Sequence, residues 1–408
     1  MADTYIPRTI EPVLRRAARE FPAVVVTGPR QCGKTTLLRT LFARTHRYIS
    51  LDAADVCASA IADPRGFLAR HAPPVIIDEV QNAPELLPYL KERIDAERSS
   101  NGRFLLTGSQ NLLMMERVTE SLAGRAAILR LLPFSAREAG GLAQTPLPWE
   151  NAGRKPTAPP SPRPIWPALL RGGYPDLVAH PRRDAGTWHA SYVQTYLERD
   201  VRSLRQIGDL SQFQDFVRLL AARSGQLLVL SGLAHDLGVA VNTVKAWLSV
   251  LEATWQVVVL RPYFANVGKR LVKTPKIYFT DTGTLCHLAG LTDPTHAAAG
   301  PLGGTIFESA VLSEIVKGFV HRGQQPRVWF WRTSIGVEVD FLVEHAGRLV
   351  PIEVKLTSTP RPPAAAGIAA VRRDLGQRVA DGFVVHGGEH ELSLGEGVLA
   401  LPLRRFLS

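Results

Sequence analysis

Cysteine is scarce in this chain: Cys32, Cys57 and Cys286 are the whole supply in 408 residues. An odd number without a CxxC pair excludes a disulfide framework and points to a reducing compartment. No uncharged apolar run reaches the ~18 residues that a bilayer span needs. The start, MADTYIPRTIEPVLRR, has no apolar signal-peptide core. The expectation is a cytoplasmic chain with no membrane partner. GxSxG, HExxH and NKxD are all missing, which argues against a serine hydrolase, a zinc protease and a guanine-specific GTPase. Lysine is thin, at nine of the 48 cations, and there is no internal repeat.

What is present is a globular composition, 45% apolar, with a formal charge of +11. That balance favours polyanionic partners: nucleic acid, phosphates or an acidic protein. The length calls for two or three domains. Residues 1–140 alternate apolar runs (AVVVTG, YISLDA, PVIIDE, RFLLTGS, AAILRLLPFS) with helical patterns, which predicts an α/β layer fold around buried parallel strands. Residues 145–167 are dense in proline and predict an exposed loop opening a linker and helical lid over 141–208. A helical, winged unit is expected over 209–265 and an α/β domain over 266–408.

GPRQCGKTT, residues 28–36, fits GxxxxGK[ST] at every fixed position, after a strand pattern and before a helical one with Leu37, Leu38 and Leu41 on one face. Such a loop wraps phosphates with main-chain amides at a helix N-terminus. Gly28, Pro29, Arg30, Gln31, Cys32, Gly33, Lys34, Thr35 and Thr36 are therefore the expected nucleotide contacts. Lys34 would reach the β- and γ-phosphates, and Thr35 would offer a hydroxyl to Mg²⁺. Cys32 reads first as a small filler, with oxidation as the alternative. The apolar strand PPVIIDE ends in Asp78, a second Mg²⁺ ligand, and Glu79, placed to orient or deprotonate the attacking water.

With these motifs the chain resembles the AAA+ class of ATPases. The resemblance implies a polar sensor at the end of RFLLTGSQN, Ser109 ahead of Gln110. It also implies an arginine finger in ESLAGRAAILRL, Arg125, with surface pairing as the alternative; action in trans would make the protein a homo-oligomer. LLRGGYPDLV resembles the GGxP element of a prokaryotic branch related to the STAND ATPases, which implies that Pro175 lies near the adenine. The alternative is a tight turn built on Gly172 and Gly173.

LVLSGLAHDLGVAVNTVKAWLSVLEATWQVVVLRPY predicts a helix-turn-helix and a wing strand. Ala234 is small for close approach, Gly238 permits the turn, and Asn242 caps the second helix. Val244, Trp247, Leu248 and Leu251 give that helix an apolar stripe. Asn242, Thr243, Lys245 and Ser249 are left to face DNA, with Glu252 opposing. A packing module that follows the nucleotide state is the competing reading.

GVEVDFLVEHAGRLVPIEVK, residues 336–355, predicts a hairpin around HAGR. One face carries Val337, Val339, Phe341, Val343, Val350, Ile352, Val354 and Leu356. On the other, Asp340 would stand beside Glu353 and Glu338 beside Lys355, because directly opposed side chains lie ~5 Å apart. Adjacent carboxylates suit Mg²⁺ or Mn²⁺, and Lys355 is placed to orient or activate a metal-bound water. D-x₁₂-E-x-K resembles the PD-(D/E)xK nuclease superfamily, which implies a further acid from a preceding helix, Glu308 ahead of Glu314. It departs from that pattern in having Val339, not proline, before the aspartate. A fold without cleavage and a plain amphipathic hairpin are the alternatives. HGGEHE, with His386, Glu389 and His390, reads as a solvated turn before a metal site.

The order of P-loop, GGYP, winged helix, KTPKIYFTDTG and EVDFLVE…PIEVK resembles a large bacterial and archaeal group of AAA+ ATPases with a C-terminal domain of unknown function. Two functions are carried forward. One is an Mg²⁺-dependent ATPase coupled to a DNA-directed nuclease-like domain. The other is a slow ATP switch whose C-terminal scaffold binds a protein partner.

Overall fold

The computed structural model describes residues 5–97, 99–109, 121–150, 164–197, 210–263 and 273–408. The first five apolar runs become β1 (Ala23–Gly28), β2 (Arg47–Ser50), β3 (Val75–Asp78), β4 (Phe104–Ser109) and β5 (Ala126–Arg130), in the order β2-β3-β4-β1-β5. Every neighbouring pair is parallel. A parallel sheet has to be covered on both faces, and strand alternation sorts its side chains between two cores. Val24, Val26, Ile76 and Leu105 pack against helices α1 (Glu11–Glu20) and α2 (Lys34–Phe42). Val25, Ile77 and Leu106 pack against α3 (Ala54–Ala62), α4 (Pro64–Arg70) and α5 (Leu86–Ala96). Leu37 and Leu38 are buried as expected, with Leu41 packed beside them.

Beyond β5, a single turn α6 (Ala136–Ala139) is closed by a capping box between Ser135 and Glu138. The described start of the proline-rich stretch, residues 145–150, is less exposed than its composition suggests. Leu147 and Trp149 are buried against the C-terminal part of the chain, with Trp149 in ring contact with Phe406. The proline-rich residues 151–163 lie outside the described residues. Three short helices follow, α7 (Ile165–Arg171), α8 (Pro175–Ala179) and α9 (Ala185–Tyr192).

Helices α10 (Leu210–Ala222), α11 (Leu230–Leu237) and α12 (Val241–Ala253) pack together and lead into an antiparallel pair, β6 (Val257–Leu260) and β7 (Lys276–Phe279). Gly238 closes α11 in the left-handed region at φ +64°, and Val244, Trp247, Leu248 and Leu251 are buried. Asn242 does not cap: it is the second residue of α12, whose cap position is Ala240, with no side-chain hydrogen bond there. Strand β7 pairs with β6 rather than with the C-terminal sheet, then runs into α13 (Thr282–Leu288) and α14 (Pro294–Ala299).

The C-terminal part is built in the order α15 (Gly303–Val320), β8 (Val328–Arg332), β9 (Glu338–His345), β10 (Arg348–Lys355), α16 (Ala366–Leu375), β11 (Gly382–His386), β12 (Leu392–Ser393), β13 (Val398–Pro402) and α17 (Leu403–Phe406). Its mixed sheet runs β12-β13-β11-β10-β9-β8. The hairpin turn is tighter than the expected four-residue loop: His345 and Arg348 are paired, and Ala346 and Gly347 turn the chain at φ +48° and +75°. A bulge between β8 and β9 breaks the alternation. Phe341 and Val343 pack towards α15, whereas Val339 joins Leu342 and Trp331 against α16. The hairpin therefore has no wet face. Among the described residues, no helix is long and apolar enough to cross a membrane.

Candidate functional site: a phosphate loop and a buried carboxylate cluster

The loop between β1 and α2 owes its shape to two glycines. Gly28 has φ +150°, and a Cβ there would stand 1.9 Å from the Leu131 carbonyl oxygen; Gly33, at φ +93°, caps α2 in the left-handed region. Pro29 and Cys32 are buried, Arg30 is half-buried, and Gln31 and Thr36 are exposed. Burial pushes the Cys32 thiol upward, as a filler position requires and a reactive thiol does not. Lys34 is buried and donates to the carbonyls of Gly28 (3.2 Å) and Pro29 (2.9 Å). Thr35 donates its hydroxyl hydrogen to Asp78 Oδ1 at 2.7 Å. The two oxygens expected to share a metal are therefore neighbours, contributed by elements on either side of β4.

Three residues that sequence reasoning passed over hold this geometry. Tyr48, in β2, donates to Asp78 Oδ2 at 2.9 Å. Thr107, in β4, donates to Asp78 Oδ1 and accepts the Glu79 amide hydrogen at 3.1 Å. Strand alternation offered the Thr107 signal: it lies two residues before the expected sensor position, 109, in the sequence of the same strand. Arg8, before α1, donates to the Cys32 carbonyl (3.1 Å) and the Leu132 carbonyl (2.7 Å), and no motif pointed to it. Glu79 sits in the left-handed region at φ +57°, an unfavourable place for a residue with a side chain, and its Oε2 accepts from Gln81.

Ser109 ends β4 in register with Gly28, so its backbone lies beside the phosphate loop; Gln110 falls outside the described residues. Arg125 is not brought to the loop of its own chain. It precedes β5, at the end of the sheet where Ala23 begins β1, five residue steps or roughly 16 Å from Gly28. There it grips Asp95 through Nε (2.7 Å) and Nη2 (2.8 Å), which corrects the arginine-finger expectation within one chain in favour of surface pairing.

The GGYP element does meet the loop. Pro175 Cγ lies 3.6 Å from where a Gly33 Cβ would be. The element is clamped from both sides: the Gly173 amide donates to Asp281 Oδ2 (2.7 Å), and the Gly173 carbonyl accepts from the Phe134 amide (2.7 Å). Asp281 also caps α13 through the Thr284 amide. TDTG thus fastens GGYP over the nucleotide loop.

At the other end of the chain, Asp340, Glu353, Lys355 and Glu308 converge. Burial, then Glu308, then Glu353 push the Asp340 carboxyl well above its ordinary range; its Oδ2 accepts the Val354 amide hydrogen at 2.8 Å. Burial raises Glu353 also, against Lys355, whose Nζ is 2.6 Å from Glu353 Oε1. Glu338 is not beside Lys355. The ladder ends at Phe341–Ile352, and Glu338 instead faces Arg332 (3.1 Å) on β8 and Lys276. Lys276, from β7, is buried with Nζ 3.3 Å from Glu308 Oε1, and Tyr278 donates to that same oxygen. Burial alone would lower the Lys276 ammonium, but Glu308, Asp340 and Glu338 outweigh it and hold it above the ordinary lysine range. Among the described residues, no group of three or more His, Cys, Asp or Glu is arranged to hold a metal ion. Of the acids expected to hold a metal there, Glu308 and Asp340 stand about the Lys276 ammonium and Glu353 pairs with that of Lys355. Glu314 is elsewhere, accepting the Ala136 amide hydrogen at 2.8 Å. His386 is buried and accepts from the Gly388 amide in a turn.

Residues 20–140 match an AAA domain, 164–295 a domain of unknown function (DUF8612) and 303–406 a second one (DUF4143). Among solved structures, the chain is similar to the Walker-type ATPase PABY2304 of Pyrococcus abyssi, with 16% identity, a TM-score of 0.45 and coverage of 71% of this chain and 99% of that one. A RuvB variant of Thermotoga maritima gives 16%, 0.29, 61% and 88% in the same order. Two curated relatives, the uncharacterized proteins Mb2031c of Mycobacterium bovis and Rv2008c of Mycobacterium tuberculosis, are each 34% identical over 397 residues, covering 97% of this chain and 83% of theirs. With its phosphate loop inside the AAA match, the chain belongs to the family of these mycobacterial proteins and is an AAA-type, P-loop ATPase-like protein.

Proposed function

We propose that the protein is an Mg²⁺-dependent ATPase whose cycle is coupled to a nucleic-acid-directed C-terminal domain. The observation that carries the ATPase reading is the 2.7 Å contact between Thr35 and Asp78, set beside a glycine-shaped loop. Thr35 and Asp78 would hold Mg²⁺, which when bound supplies charge neutralisation at the phosphates. The loop amides and Lys34 bind the phosphates, exchanging the Gly28 and Pro29 carbonyls for phosphate oxygens on the lysine. Glu79 orients the attacking water and accepts its proton, and Thr107 ties the Glu79 backbone to Asp78. Pro175 contacts the nucleotide from the lid side. Loss of ATP binding in Lys34→Ala, measured by calorimetry, supports this; unchanged binding overturns it.

For the C-terminal domain, the order α15-β8-β9-β10-α16-β11 and the meeting of Asp340, Glu353 and Lys355 support a nuclease-like fold. Asn242 and Lys245, exposed on α12, are the face a winged helix would offer to DNA. The second reading, an ATP switch with a non-cleaving scaffold, is favoured by Lys276 standing among the carboxylates. Purified protein with Mn²⁺ and plasmid separates them. Nicking lost in Lys355→Ala supports the nuclease; no nicking and no salt-sensitive DNA binding supports the switch.

A further inference from the structure

Four carboxylates, Glu308, Glu338, Asp340 and Glu353, meet three cations, Lys276, Lys355 and Arg332, in one partly buried cluster whose inner members are Lys276, Asp340 and Glu353. Two of the cations belong to the sheet that carries most of the acids: Arg332 on β8 and Lys355 on β10. Lys276 does not. It arrives from β7, a strand of the middle unit, is 5% exposed, and reaches both Glu308 on α15 and Glu338 on β9. Glu353, 7% exposed, keeps Oε2 without a hydrogen-bond partner among the described residues. An unpaired carboxylate oxygen buried this deeply is costly and would be satisfied by a further donor or cation.

We propose that Lys276 is the built-in cation of this cluster and competes with a divalent metal for it, so that metal enters only as the Lys276 ammonium leaves. The formal charges agree. With Lys276 in place the carboxylates exceed the cations by one; without it they exceed them by two, the charge of one Mn²⁺ or Mg²⁺ ion. Oxygen donors of this kind suit such ions. A route to displacement runs through the same segment. Asp281, five residues after Lys276, holds the Gly173 amide of the element whose Pro175 rests on Gly33. A shift of that element with nucleotide would be passed along β7 to Lys276. The inference rests on reading these acids as a cation site, and is independent of whether the site cleaves DNA.

The test uses the full chain without nucleotide and titrates Mn²⁺, following the loss of the free-ion signal by electron paramagnetic resonance. Lys276→Met should bind Mn²⁺ roughly tenfold tighter or better than wild type, the scale expected when one close like charge is removed from a partly buried site. Lys276→Arg, which keeps the charge, should stay near wild type, and adding Asp340→Asn to Lys276→Met should abolish the gain. Equal Mn²⁺ affinity in wild type and Lys276→Met overturns the proposal. Should Lys276→Met unfold at the assay temperature, its Tm with and without Mn²⁺ replaces the titration: a rise larger than that of wild type supports the proposal, and no rise overturns it. Plasmid nicking is scored separately. A gain in Mn²⁺ binding without nicking by any variant removes the nuclease reading and leaves the lysine competition standing.

Discussion

His321, at the end of α15, stands with Nδ1 3.1 Å from Glu138 Oε2 and accepts the Leu132 amide hydrogen on Nε2 at 3.1 Å. Because Nε2 accepts, the proton of the neutral ring sits on Nδ1, facing Glu138. Glu138 in turn receives the Thr9 amide (2.8 Å) and lies 3.2 Å from Arg8 Nε, and Arg8 holds the Cys32 carbonyl of the phosphate loop. The helix that carries Glu308 into the carboxylate cluster is thereby anchored, about 20 Å further along, behind the nucleotide loop.

This pair sets an acid limit on stability. Burial is the largest influence on His321 and holds it below its ordinary 6.5, against Glu138 and with Arg8 and Lys317. Burial pushes Glu138 up, but Arg8 and His321 outweigh it and hold its carboxyl far below the usual range. Both groups resist protonation only when folded. Their stabilisation is full above about pH 6.5 and is lost as pH falls. Wild-type Tm should drop from about pH 6.5 downward. His321→Ala should cost roughly 2–3 kcal/mol at neutral pH, by stranding Glu138 and the Leu132 amide. It should also flatten the slope between about pH 6.5 and 5.5. An unchanged slope in the variant would remove His321 from this role.

Glu79→Gln should keep ATP affinity while slowing phosphate release about a hundredfold or more, since only the proton-accepting function is removed. Binding by calorimetry and turnover by phosphate detection decide it. Turnover at the wild-type rate would assign the base elsewhere.

Gly28→Ala should yield little folded protein or lose about 3 kcal/mol, because its Cβ would collide with the Leu131 carbonyl, a backbone atom of the neighbouring β5 connection. Pro175→Ala should fold and weaken ATP binding several-fold. Denaturant melts and nucleotide titration separate the two effects, and a Pro175→Ala protein with wild-type affinity would take Pro175 out of the proposed site.

Arg125→Ala and Asp95→Ala should lower Tm by similar amounts, with no more than a small further drop in the double variant, since each removes the same bidentate pair. ATP turnover should hold in all three. A collapse of turnover confined to Arg125→Ala, with Tm unchanged, would restore the finger role and place it in a neighbouring copy.

Local spacing made the nucleotide half of the chain readable. Lys34 follows its glycines directly, and Asp78-Glu79 closes an apolar run, so the loop, the strands around it and the second acid could all be placed from neighbours in sequence. The hairpin pairing Glu344 with Leu349 was legible for the same reason. Arg125 shows where that reach ends: its place before β5 was right, but which end of the sheet it occupies depends on strand direction, and its partner Asp95 lies on another helix.

By itself, then, the sequence determined a phosphate loop, the acid Asp78 beside it, the parallel strands that present them, and a C-terminal hairpin rich in acids, because each is written in contiguous residues through chain stereochemistry. Tertiary structure alone decided that a bulge opposite β8 would turn Val339 away from Phe341, that His321 would stand behind the loop, and that Lys276 would come from another unit into the carboxylates. Those contacts join residues distant in the chain, and only the packing of whole elements selects which buried charges must meet.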